Sequence, residues 1–137
     1  MKSLAFVLAL IMFGAAYAPQ NALDVNSQNP DSIRVGVFLS LTGATAAYGT
    51  SALNAFKLAT GEVNAAGGIS GRQVELITED DHSNTGEVAG IVTKLIKEDK
   101  VQALLAEPVS TRAMVAAPIA QLHKGVMISP AAIKPEL

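Results

Sequence analysis

Four short segments of this chain concentrate side chains with chemistry to offer. The first, Ser40 to Tyr48, is rich in hydroxyls and small residues and ends in a tyrosine. It holds neither G-x-G-x-x-G nor G-x-x-x-x-G-K-[ST], so dinucleotide and P-loop phosphate sites lack their main support. Tyr48 either packs on the domain with its hydroxyl in water or forms a wall for a ligand side chain. The second segment is Glu79-Asp80-Asp81-His82. Adjacent acids with a histidine can hold a divalent cation, and receiver domains also gather acids at strand ends. The plainer reading, which we prefer, is a solvated acidic loop that caps a sheet and the next helix. The third runs from Glu107 to Arg112 and places Ser110 and Thr111 where a helix begins. A hydroxyl there caps its own helix. The same helix start leaves unpaired backbone N–H groups, which favour a carboxylate. No G-x-S-x-G elbow surrounds Ser110, and no histidine or paired acid is placed as its base, so nucleophilic hydrolysis is unsupported. The fourth, Ser129 to Pro135, has prolines at 130 and 135. It is an extended loop that offers backbone amides and carbonyls.

These segments need elements to position them. Ile33 to Leu39 is a short β-branched run and predicts a buried strand. From about Thr50 to Ala66, Leu53, Phe56, Thr60 and Val63 recur at helical spacing, and Gly67-Gly68 ends that helix. Val74 to Thr78 predicts a second strand. Asn84 stands in capping-box spacing before Glu87. Val88, Ile91, Val92, Leu95 and Ile96 form an amphipathic helical stripe. Val101 to Ala106 predicts a third strand. Ser110 or Thr111 opens a third helix with Met114, Val115, Ile119 and Leu122 as its inner face, kinked or shortened by Pro118. Gly125 closes it, and Val126 to Ser129 predicts a fourth strand. This alternation is the pattern of an α/β fold: a parallel sheet with helices on both faces and right-handed crossovers. Ligands of such sheets bind beyond the carboxyl ends of the strands, which is where all four segments fall. No internal repeat or low-complexity stretch interrupts the pattern.

Composition narrows the function classes. The chain has 137 residues, 50% of them hydrophobic and 16% charged, and fits one domain. Ten basic residues stand against twelve acidic ones, so a nucleic-acid surface has no electrostatic support. Without cysteine there is no disulfide framework, thiolate metal site, cysteine nucleophile or lipidated amino-terminal cysteine.

Residues 1–18 read as a signal peptide. Lys2 precedes an unbroken apolar run from Leu4 to Phe13, followed by small residues through Ala18. The run is about half the ~20 residues that a membrane-spanning helix needs, so the expectation is export with no membrane insertion after signal removal. Cleavage follows Ala18 or Ala16. Residues 19–32, polar and rich in Asn, Asp, Gln and Ser, are expected to form a flexible leader.

The remaining stretch, 33–137, resembles the amino-terminal part of type I periplasmic substrate-binding proteins, in particular the leucine/isoleucine/valine-binding branch of ATP-driven importers. The likeness is carried by "VGVFLSLTGATAAYG", "EVNAAGGISGRQVEL", "EDDHSN", "VTKLIKEDKVQALLAEPVSTRAMVAAPIA" and "GVMISPAA", with "NAAGGISG" and "ISPAA" the most specific. The resemblance implies a fold of two α/β lobes closing on a small solute, of which this chain carries an incomplete first lobe and half a binding cleft. Family members are much longer, so the chain reads as truncated. The implied function is the extracytoplasmic, periplasmic solute-binding component of an ABC-type importer for branched-chain or other amino acids. Its partners would be the solute and a membrane permease, with no cofactor, no metal and no catalysis. By position, Tyr48 matches an aromatic lining the solute's side-chain pocket, and Ser110 a hydroxyl on its carboxylate, with Thr111 adjacent. Ala131 and Ala132 lie in a loop that contacts the solute through its backbone. Ile133 stands where amino-acid-binding members usually have threonine, whose hydroxyl helps hold the ammonium. That departure keeps amides, urea and small carboxylates open as solutes. An exported ligand-sensing domain of a receptor shares the same fold and stands as the alternative.

Overall fold

The computed structural model describes residues 31–135, so the expected signal peptide and most of the leader lie outside the described residues. Seven elements follow in strict alternation: β1 (Ile33–Leu39), α1 (Ala46–Ala65), β2 (Val74–Asp80), α2 (Val88–Lys97), β3 (Ala103–Leu105), α3 (Ser110–Leu122) and β4 (Val126–Ile128). All strand pairs are parallel, in the order β2-β1-β3-β4. The chain steps one way from β1 to β2, then reverses to place β3 and β4 on the other side of β1. With crossovers of one hand, that reversal sends α1 to one face and α2 and α3 to the other. The packing agrees: α2 lies against α3, while α1 lies against β1 and β2. The expected α/β architecture is the one observed.

The core forms beneath α2 and α3. Phe38, Val88, Val92, Leu95, Leu104, Ala106, Ala116 and Ala120 are buried together there. The amphipathic stripe of α2 delivers Val88, Val92 and Leu95 into it, as expected. The inner face of α3 matches expectation only in part: Val115 and Ile119 pack against the core, but the fully buried positions are others. Arg112, Ala113, Ala116 and Ala120 are its buried residues, and Leu122 is 77% exposed. Ala116 and Ala120 join the core cluster that α2 also lines, and the longer Val115 and Ile119 pack at its edge. Pro118 does not shorten the helix. α3 runs unbroken to Leu122 with Pro118 on its exposed side, where its ring meets solvent. The Gly125 amide then closes the end on the Ala120 carbonyl.

Other boundaries moved for identifiable reasons. α1 begins at Ala46, earlier than the apolar spacing implied, so Tyr48 lies in its first turn. Gly49 permits this start. A Cβ there would lie 2.0 Å from the Ser40 carbonyl oxygen, so the first turn of α1 presses directly on the end of β1. At the other end of α1, Gly68 takes φ +78 and donates its amide to the Val63 carbonyl, ending the helix as expected. Val63 itself is exposed. β2 extends through Asp80, two residues beyond its expected end, and β3 and β4 are each three residues long. Asn84 does not cap α2. Its side-chain Oδ1 accepts the Gly86 amide, and Glu87 occupies the cap position without a side-chain cap bond. The last residues of the expected leader are held in place: Arg72 donates to the carbonyls of Asp31 and Ser32, and the Ser32 hydroxyl bonds Glu75.

Candidate functional site

The sheet reverses direction at β1, and the crevice between the carboxyl ends of β1 and β3 is where such folds bind ligands. The loops after β1, β3 and β4 meet there. The Ser129 hydroxyl donates to the Glu107 carbonyl at 2.9 Å, and the Ala132 amide donates back to Ser129 Oγ at 3.3 Å. The Ile133 amide donates to Ser110 Oγ at 3.1 Å. Ser110 is therefore a link between the start of α3 and the loop after β4. It is not a cap of its own helix, because α3 has no side-chain cap bond and Val109 takes the cap position. With its oxygen accepting from Ile133, the hydroxyl proton of Ser110 is free to point at a ligand.

Ser110, Ala132 and Ile133 are thus brought together. Thr111 and Ala131 are their exposed neighbours along the chain, and Ile133 presents an apolar side chain that is 88% exposed. Tyr48 is 67% exposed. It follows Thr45, whose Oγ1 accepts from Arg112 Nη2 at 2.5 Å, which ties the start of α1 to the first turn of α3.

The crevice itself is filled by polar side chains from three of the segments named above, although the sequence points only to Asp81 for a role of its own. Ser40, Asp81, Glu107 and Arg112 are all buried. The Ser40 amide donates to Glu107 Oε2 at 2.7 Å, and its hydroxyl donates to Asp81 Oδ1 at 2.7 Å. Arg112 Nη2 donates to Glu107 Oε1 at 2.9 Å, and its Nε faces Asp81 Oδ2 at 3.5 Å. The expectation of a solvated acidic loop therefore fails for Asp81, which turns inward. Successive residues of an extended chain point to opposite sides, so one of two adjacent acids at a strand end faces the core. That alternation, with Glu107 and Arg112 flanking a helix start in an apolar stretch, was the available signal.

Asp80 turns the other way. It accepts from the Leu41, Thr42 and His82 amides and from the Thr42 hydroxyl at 2.7 Å. Burial alone would raise its pKa. The Thr42 hydroxyl and the three amides outweigh that and bring it from 3.8 down to about 2. His82, with φ +53, bonds Glu87 Oε2 through Nδ1 at 2.8 Å. The Glu87 bond and then the charge of Asp80 raise the His82 pKa, and the same bond lowers that of Glu87. Because Asp80 and Asp81 diverge, the acids do not converge with His82 on one point. No group of three or more His, Asp or Glu among the described residues could hold a metal ion.

The chain matches the periplasmic binding protein family model over residues 32–137. It belongs to that family, and the relatives it matches are substrate-binding proteins, not enzymes. It is 27% identical over 107 residues to the Leu/Ile/Val-binding protein of Escherichia coli strain K12, covering 78% of this chain and 29% of that protein. Its fold superposes with a TM-score of 0.74 and 36% identity on the branched-chain amino acid transporter substrate binding protein of Streptococcus pneumoniae in complex with isoleucine, covering 76% of this chain and 30% of that one. A solute binding protein of an ABC transporter from R. palustris, in complex with benzoate, gives a TM-score of 0.66 and 28% identity, covering 74% of this chain and 28% of that one. The chain thus spans less than a third of the length of each of these proteins.

Proposed function

We propose that this chain supplies one face of the solute cleft of an extracytoplasmic, periplasmic binding protein serving an ABC-type importer. The solute is a branched-chain or other amino acid, delivered to a membrane permease. Tyr48, Ser110, Thr111, Ala131, Ala132 and Ile133 form the binding face. The observation that carries this reading is the bond from the Ile133 amide to Ser110 Oγ. It leaves a hydroxyl proton beside the free amides of the α3 amino terminus, a donor set suited to a carboxylate. Isoleucine, bound by the S. pneumoniae relative, combines a carboxylate with an apolar body. Tyr48 and the Ile133 side chain offer the apolar contact. Export follows from the expected signal peptide in residues 1–18 and from the family's periplasmic members.

A second reading is favoured by Ile133 itself. Its side chain has no oxygen to offer an ammonium, and the R. palustris relative binds benzoate, a carboxylate without one. Calorimetric titration of the full-length protein with leucine, isoleucine, valine and benzoate separates the two. Heat with the amino acids supports the first reading, and heat with benzoate alone supports the second. No heat with any of the four removes the carboxylate-binding function.

A further inference from the structure

Ser110 and Tyr48 sit on different helices, at the amino ends of α3 and α1. A small solute touching both needs their separation held within a fraction of an ångström. Backbone pairing within the sheet does not supply this, because both residues lie beyond the strand ends. The connection between them runs through a buried side chain, Arg112.

Arg112 is two residues after Ser110 and is 5% exposed. Its guanidinium meets three loops at once. Nη2 donates to Glu107 on the loop after β3 and to Thr45 at the start of α1, and Nε faces Asp81 after β2. Glu107 in turn accepts the Ser40 amide at the end of β1. Asp81 and Glu107 are both fully buried and both bond Ser40 Oγ, at 2.7 Å and 3.4 Å. Two carboxylates therefore face one guanidinium, with the serine donors helping to offset the second charge. A lysine ammonium lacks the planar fork that reaches several acceptors in fixed directions. Neither the capping of α3 nor the apolar core explains a buried arginine here.

We propose that Arg112 is a positioning residue of the binding face: its guanidinium locks Glu107, Asp81 and Thr45 together and thereby fixes Ser110 relative to Tyr48. This rests on the functional reading above only for what the face binds. The locking itself is a property of the described residues.

The experiment has two arms on the full-length protein. In the first, amide hydrogen exchange is compared between the parent, Arg112→Lys and Thr45→Val. The reporters are Ser40, bonded to Glu107, and Ile133, bonded to Ser110, with Leu95 in the core as reference. Arg112→Lys is expected to speed exchange at Ser40 and Ile133 by about tenfold or more and to leave Leu95 unchanged. Unchanged exchange at Ser40 and Ile133, or equal acceleration at all three, overturns the proposal. If Arg112→Lys does not fold, Thr45→Val carries the test. It keeps the Arg112–Glu107 pair but also removes the Thr45 Oγ1–Ser83 Oγ contact at 3.1 Å, so Ser83→Ala is measured beside it. Faster exchange at Tyr48 and Ile133 in Thr45→Val but not in Ser83→Ala, with Leu95 unchanged, is expected, whereas no change at Tyr48 and Ile133, or equal acceleration in both variants, overturns it. In the second arm, Arg112→Lys is combined with Ser110→Ala and isoleucine and benzoate affinities are measured. The lysine variant should weaken binding about tenfold with Ser110 present and less than about twofold without it. Equal losses in both backgrounds overturn the proposal. A parent protein that binds neither solute removes the functional reading while the exchange arm still decides the role of Arg112.

Discussion

The Ile133 amide donates to Ser110 Oγ at 3.1 Å, joining the loop after β4 to the first turn of α3. Ser110→Ala removes this acceptor and the donor it leaves for a ligand. Carboxylate solutes should bind more weakly by about 1–3 kcal/mol, measured by calorimetry on the full-length protein. Unchanged affinity would make Ser110 a loop tie alone.

Ile133→Thr places a hydroxyl in the exposed position that the apolar side chain now holds. Isoleucine should gain affinity by about 1 kcal/mol relative to benzoate, because only isoleucine carries an ammonium. Parallel titrations of the two ligands give the comparison, and an equal change for both would place residue 133 away from the ammonium.

Gly49→Ala forces a methyl to within 2.0 Å of the Ser40 carbonyl oxygen. The first turn of α1 must shift or unwind, at a cost of about 1–3 kcal/mol in denaturant unfolding. Gly61→Ala, whose Cβ would meet nothing within 4 Å, is the control and should be neutral or slightly stabilising.

Acid should loosen the loop after β1 through Asp80. Its carboxyl is lowered from 3.8 to about 2 in the folded protein, so the stabilisation is present above pH 3.8 and is lost as the pH falls towards 2. Thr42→Val removes the strongest of the lowering hydrogen bonds. The Asp80 titration, followed by NMR, should then move up towards 3.8, and an unmoved titration would assign the shift to the amides.

His82 and Glu87 work over a different range. The histidine pKa is raised above 6.5, so its contribution is present below pH 6.5 and is lost as the pH rises through the folded value. Glu87 is lowered from 4.5, so its share is present above pH 4.5 and is lost as the pH falls through its folded value. Their side chains are 59% and 43% exposed, so the pair is weak and screened by salt. Glu87→Gln should lower the His82 pKa in an NMR titration. If His82 stays where it was, Asp80 is the residue holding it up.

What could be read in the residues follows from which interactions are local. The stripe of α2 at Val88, Val92 and Leu95 repeats with the helical period, and the structure buries all three. Gly68 announces the end of α1 because a left-handed residue close to Arg72 O admits no side chain. The inner face of α3 was legible only in part: Val115 and Ile119 pack against the core as expected, and Leu122 does not. Ala113, Ala116 and Ala120 are the buried positions instead, set by packing partners distant in sequence that no period encodes. The start of α1 moved for the same kind of reason, since Ser40 and Gly49 meet only once β1 and α1 are packed.

The chain by itself determined the alternation of strands and helices, the four loops at one end of the sheet, and the residue types offered there. Spacing and turn chemistry act within a few residues, so they survive without the fold. Only the tertiary structure decided that Asp81 turns inward while Asp80 turns outward, that Ser110 serves Ile133 and not its own helix, and that Arg112 spans residues 67 positions apart to reach Thr45. Those partners are distant in sequence, and a buried charge is tolerated only where the packed chain brings its counter-charges to it.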